Sequence, residues 1–348
     1  MPCADPCPPG EVSGPAHVRL RSPHLVERTA ALCSNAGGRW PRRRGWNSVK
    51  GYRVRDHEEI RTLLSGPVNP LPTKFHSDGT INFDGMHAVI DCSLEAGCQV
   101  IMLTWGETLV SLLSDAELAQ VHRSVIAHVG DRALTIACDN MWGLHQTLEF
   151  GDLVRDLGFD LYMVRPADWA RGTPQSLADF YRVVSERTRA MLVGDVPIET
   201  CELIEDEPGI LAFKEDRQLD FAHEVLMRWG DRWPMVGGGG MKRHLLLWPH
   251  GCRAWLEPFV RCYPQPAMRY WRALQRGDTD EAWKIIMRVE TPVRAAGHRF
   301  PAGYNGFAQA MIEVYGIAPR WRRSPAPNAT EAEMEDVCGV LRRLGIWP

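Results

Sequence analysis

The stretch Gly209-Ile210-Leu211-Ala212-Phe213-Lys214-Glu215-Asp216 opens on a glycine, runs through four apolar residues and stops on a charged triplet. A run this short and this continuously apolar has the character of a strand buried on both faces of a parallel sheet. Working outward, the same character recurs at 99–104 (QVIMLT), 133–138 (ALTIAC), 159–164 (FDLYMV), 189–194 (RAMLVG), 233–237 (WPMVG) and 252–259 (CRAWLEPF). Residues 66–75 supply an eighth.

Helical segments lie between the runs. Residues 83–96 follow Asn82 as N-cap and end at Gly97, and residues 115–129 follow Ser114 with Glu117 three positions on, a capping box. Residues 143–157 stop at Gly158, and 174–186 open on Pro174 behind Thr173. Eight strands alternating with helices over about 195 residues predict an α/β fold. A (β/α)8 barrel of the TIM type suits the count better than an open doubly wound sheet. Three further helices are predicted at 267–276, 281–296 and 331–344, a C-terminal helical appendage. The domain reading is therefore a poorly ordered N-terminal extension at 1–50, the barrel at 51–262 and a helical region at 263–348. The extension is rich in Pro, Gly and Arg, including Arg42-Arg43-Arg44, and shows no sustained period.

Composition narrows the function classes. A chain of 348 residues buries roughly three quarters of its unfolded surface and needs no disulfide scaffold. Its formal charge of −3 argues against a general nucleic-acid binder. The 10 cysteines form no CxxC pair and read as buried free thiols of a reducing compartment. No apolar run approaches the roughly 20 residues of a membrane span, and the start has no signal-peptide character. The class expected is a cytoplasmic enzyme with no cofactor and no metal, since no His/Asp/Glu cluster has ligand spacing.

Chemistry in such a barrel gathers at the C-terminal ends of its strands. The first exit reads Pro70-Leu71-Pro72-Thr73-Lys74-Phe75 and then Asp78-Gly79-Thr80-Ile81-Asn82. The second reads Thr104-Trp105-Gly106-Glu107, with Ser114-Asp115-Ala116-Glu117 seven residues beyond, and the sixth is Gly209–Asp216. Together these resemble the dihydrodipicolinate synthase and N-acetylneuraminate lyase family, over about 280 residues. The resemblance implies that Lys214 is a Schiff-base lysine. Desolvation at the end of a buried strand lowers the pKa of such a lysine and populates the free amine. It also implies that Thr104, Trp105, Gly106 and Glu107 form the turn that holds the carboxylate of a 2-oxo acid. Without it, the turn reads equally as an ordinary capped loop, and a strand-ending lysine as structural.

The pattern also departs from that family. Pro197 anchors the fifth exit, so Gly194 stands where the family keeps a proton-relay tyrosine. Glu199 stands where the lysine-biosynthetic members keep an arginine, and Ala167-Asp168 follow Pro166 in place of a tyrosine pair. Trp105 replaces one small hydroxyl residue. Gly238 and Gly239, within Gly237–Gly240, lie where sialic-acid lyases carry acids. A glycine-rich turn ahead of a helix is either an anion cradle or a flexible turn making room for a bulky substrate. Acid/base candidates by location are Glu107, Asp139, His145, Asp168 and Asp195; Trp105, Trp142, Trp169 and Trp255 are candidate aromatic walls. Asp139, Gly194, Gly238 and Gly239 join the second-strand turn as expected substrate contacts.

The reading is a Schiff-base lyase acting on pyruvate or a related 2-oxo acid by aldol cleavage, condensation or dehydration, and not dihydrodipicolinate synthesis itself. The rival is a barrel that lost turnover and became a metabolite-binding or regulatory protein. The resemblance further implies a homo-oligomer, dimer or tetramer, with no membrane or nucleic-acid partner.

Overall fold

In the computed structural model, which describes residues 55–167, 170–194 and 196–348, eight short parallel strands close on themselves. They are β1 (Gly66–Pro70), β2 (Val100–Met102), β3 (Leu134–Cys138), β4 (Leu161–Met163), β5 (Ala190–Val193), β6 (Ile210–Glu215), β7 (Met235–Gly237) and β8 (Ala254–Leu256). Each pairs with its sequence neighbour, and β1 returns to β8 with Val68 opposite Leu256. Almost every strand residue is buried, because the ring's inner face packs on itself and its outer face is covered by helices.

The helices begin and end where their caps dictate. Helix α1 (His57–Leu63) precedes β1, and its N-cap Asp56 forms a capping box with Glu59. Beside it Arg55 donates to Asp160 at 2.8 Å, tying the start of α1 to the N-terminal end of β4. After β1 comes α2 (Phe83–Glu95), with Asn82 Oδ1 accepting from Gly85 N at 2.8 Å. The box at Ser114 and Glu117 starts α3 (Asp115–Val129). Gly158, at φ +94°, ends α4 (Leu144–Leu157), and Thr173 with Pro174 starts α5 (Pro174–Ser185). The barrel is completed by α6 (Ile198–Ile204), α7 (Leu219–Trp229) and α8 (Gly240–Leu247).

The C-terminal region differs from its sequence reading in two ways. Helix α9 (Gln265–Gln275) is as expected. The single helix predicted at 281–296 is α10 (Thr279–Ile285), a π turn at Ile286–Glu290, and α11 (Thr291–Arg299). Pro292 explains the break. It has no N–H for the Arg288 carbonyl, and its ring crowds that carbonyl, so the turn ahead of it widens. Helix α12 (Gly303–Val314) was not predicted at all. It starts Gly-Tyr-Asn-Gly without a side-chain cap, so no capping signal marks its start, and its run Gly306–Ile312 is buried without interruption. Helix α13 (Glu331–Arg343) closes the chain behind a Thr330–Glu333 capping box. A second apolar cluster, built on Trp255, Tyr270, Met241 and Ile286, joins β8, α8 and α9 to the π turn.

All these elements belong to one compact unit, residues 48–348. The expected extension at 1–50, and with it Arg42-Arg43-Arg44, lies outside the described residues, as do Asp168, Trp169 and Asp195. Among the described residues no helix is long and apolar enough to cross a membrane, and the cysteines are free thiols, most of them buried.

Candidate active site

Lys214 is the fifth residue of β6, held in register by Val193 on one side and Val236 on the other. It is buried, and its Nζ forms an ion pair with Asp216 two residues on. An odd and an even neighbour on a strand face opposite ways, but i and i+2 share a face, so the charged triplet presents amine and carboxylate together. Two glycines frame the pair. Gly194 closes β5 at φ +49°, its N–H donating to the Lys214 carbonyl at 2.8 Å, and a methyl group there would meet nothing within 4 Å. The position expected to carry the relay tyrosine is thus open space beside the lysine strand. At Gly238 the opposite holds: a methyl group would run into the Asp216 carboxylate. A side chain at 238 and Asp216 in its observed place exclude one another.

Glu215 faces away from Lys214. It is fully buried and pairs with Arg243 of α8. Burial pushes its carboxyl up, and Arg243 offsets part of that.

The second-strand turn is braced rather than free. Thr104 Oγ1 accepts from Glu107 N at 3.2 Å, and Thr108 Oγ1 accepts from Thr104 N at 2.9 Å while donating to the Leu71 carbonyl at 2.7 Å. Thr73 Oγ1 donates to the Thr108 carbonyl at 2.6 Å, locking the first and second exits together. A methyl group at Gly106 would meet nothing. The Trp105 indole N–H is buried with no acceptor among the described residues, and Arg165 stands 6.0 Å from its ring.

Beyond this turn the structure brings together groups that sequence reasoning missed. Arg261 lies in the 3-10 turn Pro258–Arg261 after β8 and is fully buried. Its Nη2 is 3.0 Å from Glu107 Oε2, yet neither atom is aligned for a hydrogen bond, and its Nε and Nη1 have no acceptor. Tyr304, near the start of α12, contributes a hydroxyl with no partner among the described residues. Arg322 spends one Nη2 on the Ala302 carbonyl at 3.1 Å while its Nε stays unpaired. Lys74, quoted above only as part of the first-exit motif, is fully buried and donates to Gln309 of α12. Burial, helped by the Arg261 charge, brings its amine down to about 7. The one sequence signal was the charge itself: Lys74 and Arg261 each interrupt an otherwise apolar exit.

Other predicted residues have different company. Asp139 at the end of β3 is fully buried and accepts from Tyr162 Oη at 2.6 Å, Met141 N at 2.9 Å and Thr147 Oγ1 at 3.0 Å. Burial raises its carboxyl, and those three bonds pull the other way. They tie β3 to β4 and α4, so Asp139 serves the barrel wall. His145 is solvent-exposed on α4 beside Glu149. Trp142, partly buried, packs edge-on to Phe150 at the edge of the core, and the fully buried Trp255 stacks on His244 with ring centres 4.5 Å apart.

The glycine-rich turn is corrected most. Gly239 and Gly240 adopt φ +77° and +81°, and α8 does present its N-terminal amides to a carboxylate. That carboxylate is the chain's own: Glu290 of the π turn accepts from Met241 N at 2.7 Å and Lys242 N at 2.9 Å, and Arg294 donates to it at 3.0 Å. Glu290 is buried, and a methyl group at Gly240 would run into it. The anion cradle read from the sequence is real in its physics but is filled by an internal side chain.

Comparison with known proteins agrees with this geometry. Crystal structures of dihydrodipicolinate synthase from Oceanobacillus iheyensis (TM-score 0.74, 17% identity, 83% of this chain and 99% of that one) and of YagE from E. coli K12 in complex with pyruvate (TM-score 0.72, 18% identity, 82% and 99%) share the fold. In sequence, the chain is 24% identical over 299 residues to "Probable 5-dehydro-4-deoxyglucarate dehydratase" of Rhizobium meliloti (strain 1021), covering 82% of this chain and 97% of the relative. The profile of the Dihydrodipicolinate synthetase family matches residues 63–337. With most of its length inside that match and a lysine at the end of its sixth strand, the chain belongs to the dihydrodipicolinate synthetase family of lyases and dehydratases.

Proposed function

We propose that the protein is an imine-forming lyase of a 2-oxo acid, pyruvate or a longer relative, with Lys214 as the nucleophile and Asp216 as its proton partner. The observation that carries the reading is the ion pair of the buried Lys214 Nζ and the half-exposed Asp216 carboxylate at the exit of β6. For attack on the C2 carbonyl the ammonium gives up a proton, and Asp216 is the carboxylate in contact to take it. Nζ adds to C2, the former carbonyl oxygen becomes a hydroxyl, and Asp216 returns a proton as that hydroxyl leaves as water. The resulting iminium acidifies the C3–H: Asp216, again a carboxylate, takes that proton to leave an enamine and returns it to a β-hydroxyl that departs as water. In the cleavage branch it instead takes the C4 hydroxyl proton as the C3–C4 bond breaks and C4 becomes a carbonyl. Asp216 is half-exposed, which lets it exchange protons with solvent.

Dihydrodipicolinate synthesis itself is not proposed, because Gly194 and Glu199 stand where that reaction's tyrosine and arginine are expected. The full-length relative named as a dehydratase makes elimination of water from a hydroxylated 2-oxo acid the first reaction to assay. The decisive test is trapping: incubate with pyruvate and borohydride, then weigh the protein and its peptides. The expected result is one reduced pyruvate adduct on Lys214, absent from Lys214→Ala. No adduct, or one that persists in Lys214→Ala, refutes the reading.

A further inference from the structure

A buried guanidinium carries five N–H donors and no acceptor, and leaving them unpaired away from water costs several kcal/mol. Arg261 is in that condition. No oxygen of the described residues accepts from its Nε, Nη1 or Nη2, and Glu107, 3.0 Å away, supplies charge without an aligned bond. The groups gathered around it are also donors in want of acceptors. The Tyr304 hydroxyl and Arg322 Nε are buried with no partner among the described residues. Tyr304 feels the charges of both Arg261 and Glu107, and Arg322 that of Glu107. Lys74 adds a further amine within reach of the Arg261 field. Glu107 follows β2, Arg261 follows β8, Tyr304 lies on α12 and Arg322 on the segment between α12 and α13, so this excess of donors is assembled by the fold and is not the property of one turn.

From this geometry we infer that Arg261, with Tyr304, is a buried subsite for a carboxylate of the substrate acid. The inference builds on the reading above. Arg261 follows β8, two strands from β6 in the closed ring, and Glu107 follows β2, four strands away, so the subsite shares the C-terminal rim of the barrel with Lys214. A 2-oxo acid bound at Lys214 would extend toward it. A planar, bidentate guanidinium is the group suited to a carboxylate, and Glu107 is the counter-charge a ligand would displace from Arg261. The same chemistry serves the 1-carboxylate of any 2-oxo acid or the distal carboxylate of a diacid, and the test separates them.

Affinity is measured by calorimetry for pyruvate and for 2-oxoglutarate, in the Lys214→Ala background, so that imine formation contributes nothing. With Arg261 intact, binding of at least one acid is expected. Arg261→Gln is expected to weaken it by about 10- to 100-fold, the range for hydrogen bonds to a charged group, Arg261→Lys less, and Tyr304→Phe by about threefold to tenfold. Loss for both acids assigns the 1-carboxylate; loss for 2-oxoglutarate alone assigns the distal one. Unchanged affinity in Arg261→Gln and Tyr304→Phe overturns the inference, as does absence of binding of either acid to Lys214→Ala. Should Arg261→Gln fail to fold, Arg261→Lys and Tyr304→Phe carry the decision. Failure of borohydride trapping leaves these affinities untouched, so the two readings fall separately.

Discussion

Replacing Lys74 by methionine tests the electrostatics of the rim without touching Lys214. The lysine is fully buried, and its amine is brought from 10.5 down to about 7, chiefly by desolvation. An amine that titrates at about 7 folded and near 10.4 unfolded penalises the folded state while it is held charged. The unfolded chain binds more protons between those two values, so stability rises with pH across the window. The penalty is complete below about pH 7, amounts to about 4 kcal/mol at pH 7, and fades as pH climbs toward 10. Methionine has similar length and no charge. It abolishes the penalty but leaves the Gln309 side-chain oxygen without its donor, a loss of about 1–3 kcal/mol. Lys74→Met is therefore expected to be more stable than the parent by about 1–3 kcal/mol at pH 7, and less stable by up to about 2 kcal/mol near pH 10. Urea unfolding of both proteins from pH 6.5 to 10 measures the difference directly. Cys262, the neighbouring thiol, is pushed up to about 12 by burial and does not titrate in that range. A difference that stays constant with pH, or a variant destabilised at pH 7, would refute the reasoning.

Two further substitutions probe the glycine turn, beside the trapping and affinity experiments above. Gly238→Ala drives a methyl group into the Asp216 carboxylate; kcat for whichever 2-oxo acid proves to be turned over should fall by roughly 10²-fold, within the range for losing a general acid/base. Its melting temperature should change little, and an unchanged kcat would remove Asp216 from the mechanism. Glu290→Gln removes the carboxylate that holds Met241 N, Lys242 N and Arg294. Unfolding in urea should register a loss of about 2–4 kcal/mol, and a loss below about 0.5 kcal/mol would mean the helix terminus is satisfied another way.

The barrel was legible because its signal is local and repeated. Eight apolar runs and the caps at Asn82, Ser114 and Thr173 each specify their own element, and alternation does the rest. Boundaries drifted outward, as at β1, where Leu71–Phe75 leave the sheet. Only an isolated bridge from Phe75 to Ile81 follows, since Pro72 has no N–H for a ladder. Lys214 was legible by position along the count of strands. What could not be read is what meets in space from distant sequence. Glu290 fills the α8 terminus from about fifty residues downstream, and nothing in Gly237–Gly240 announces that occupant. Tyr304 and Gln309 ride on α12, which has no side-chain cap to announce its start.

Those same residues change the role of the C-terminal region. A methyl group at Gly194 would meet nothing within 4 Å among the described residues, whereas the space at Gly238 is taken by Asp216 and that at Gly240 by Glu290. The groups that complete the rim come partly from behind the barrel: Tyr304 and Gln309 from α12, Glu290 from the π turn and Arg322 from the segment before α13. Each engages a group on a strand exit or the helix after it: Gln309 on Lys74, Glu290 on α8, Tyr304 in the field of Arg261 and Glu107. A barrel cut at the end of β8 would keep Lys214 and Asp216 but would expose Lys74, uncover the α8 terminus and strip the hydroxyl from Arg261. The π turn gains its purpose in that light, because the widened backbone at Ile286–Glu290 is what brings the Glu290 carboxylate onto two consecutive amides of α8. The helices after the barrel therefore supply partners to groups at the strand exits, and they do so where they meet the first strand's exit and the helix after the seventh.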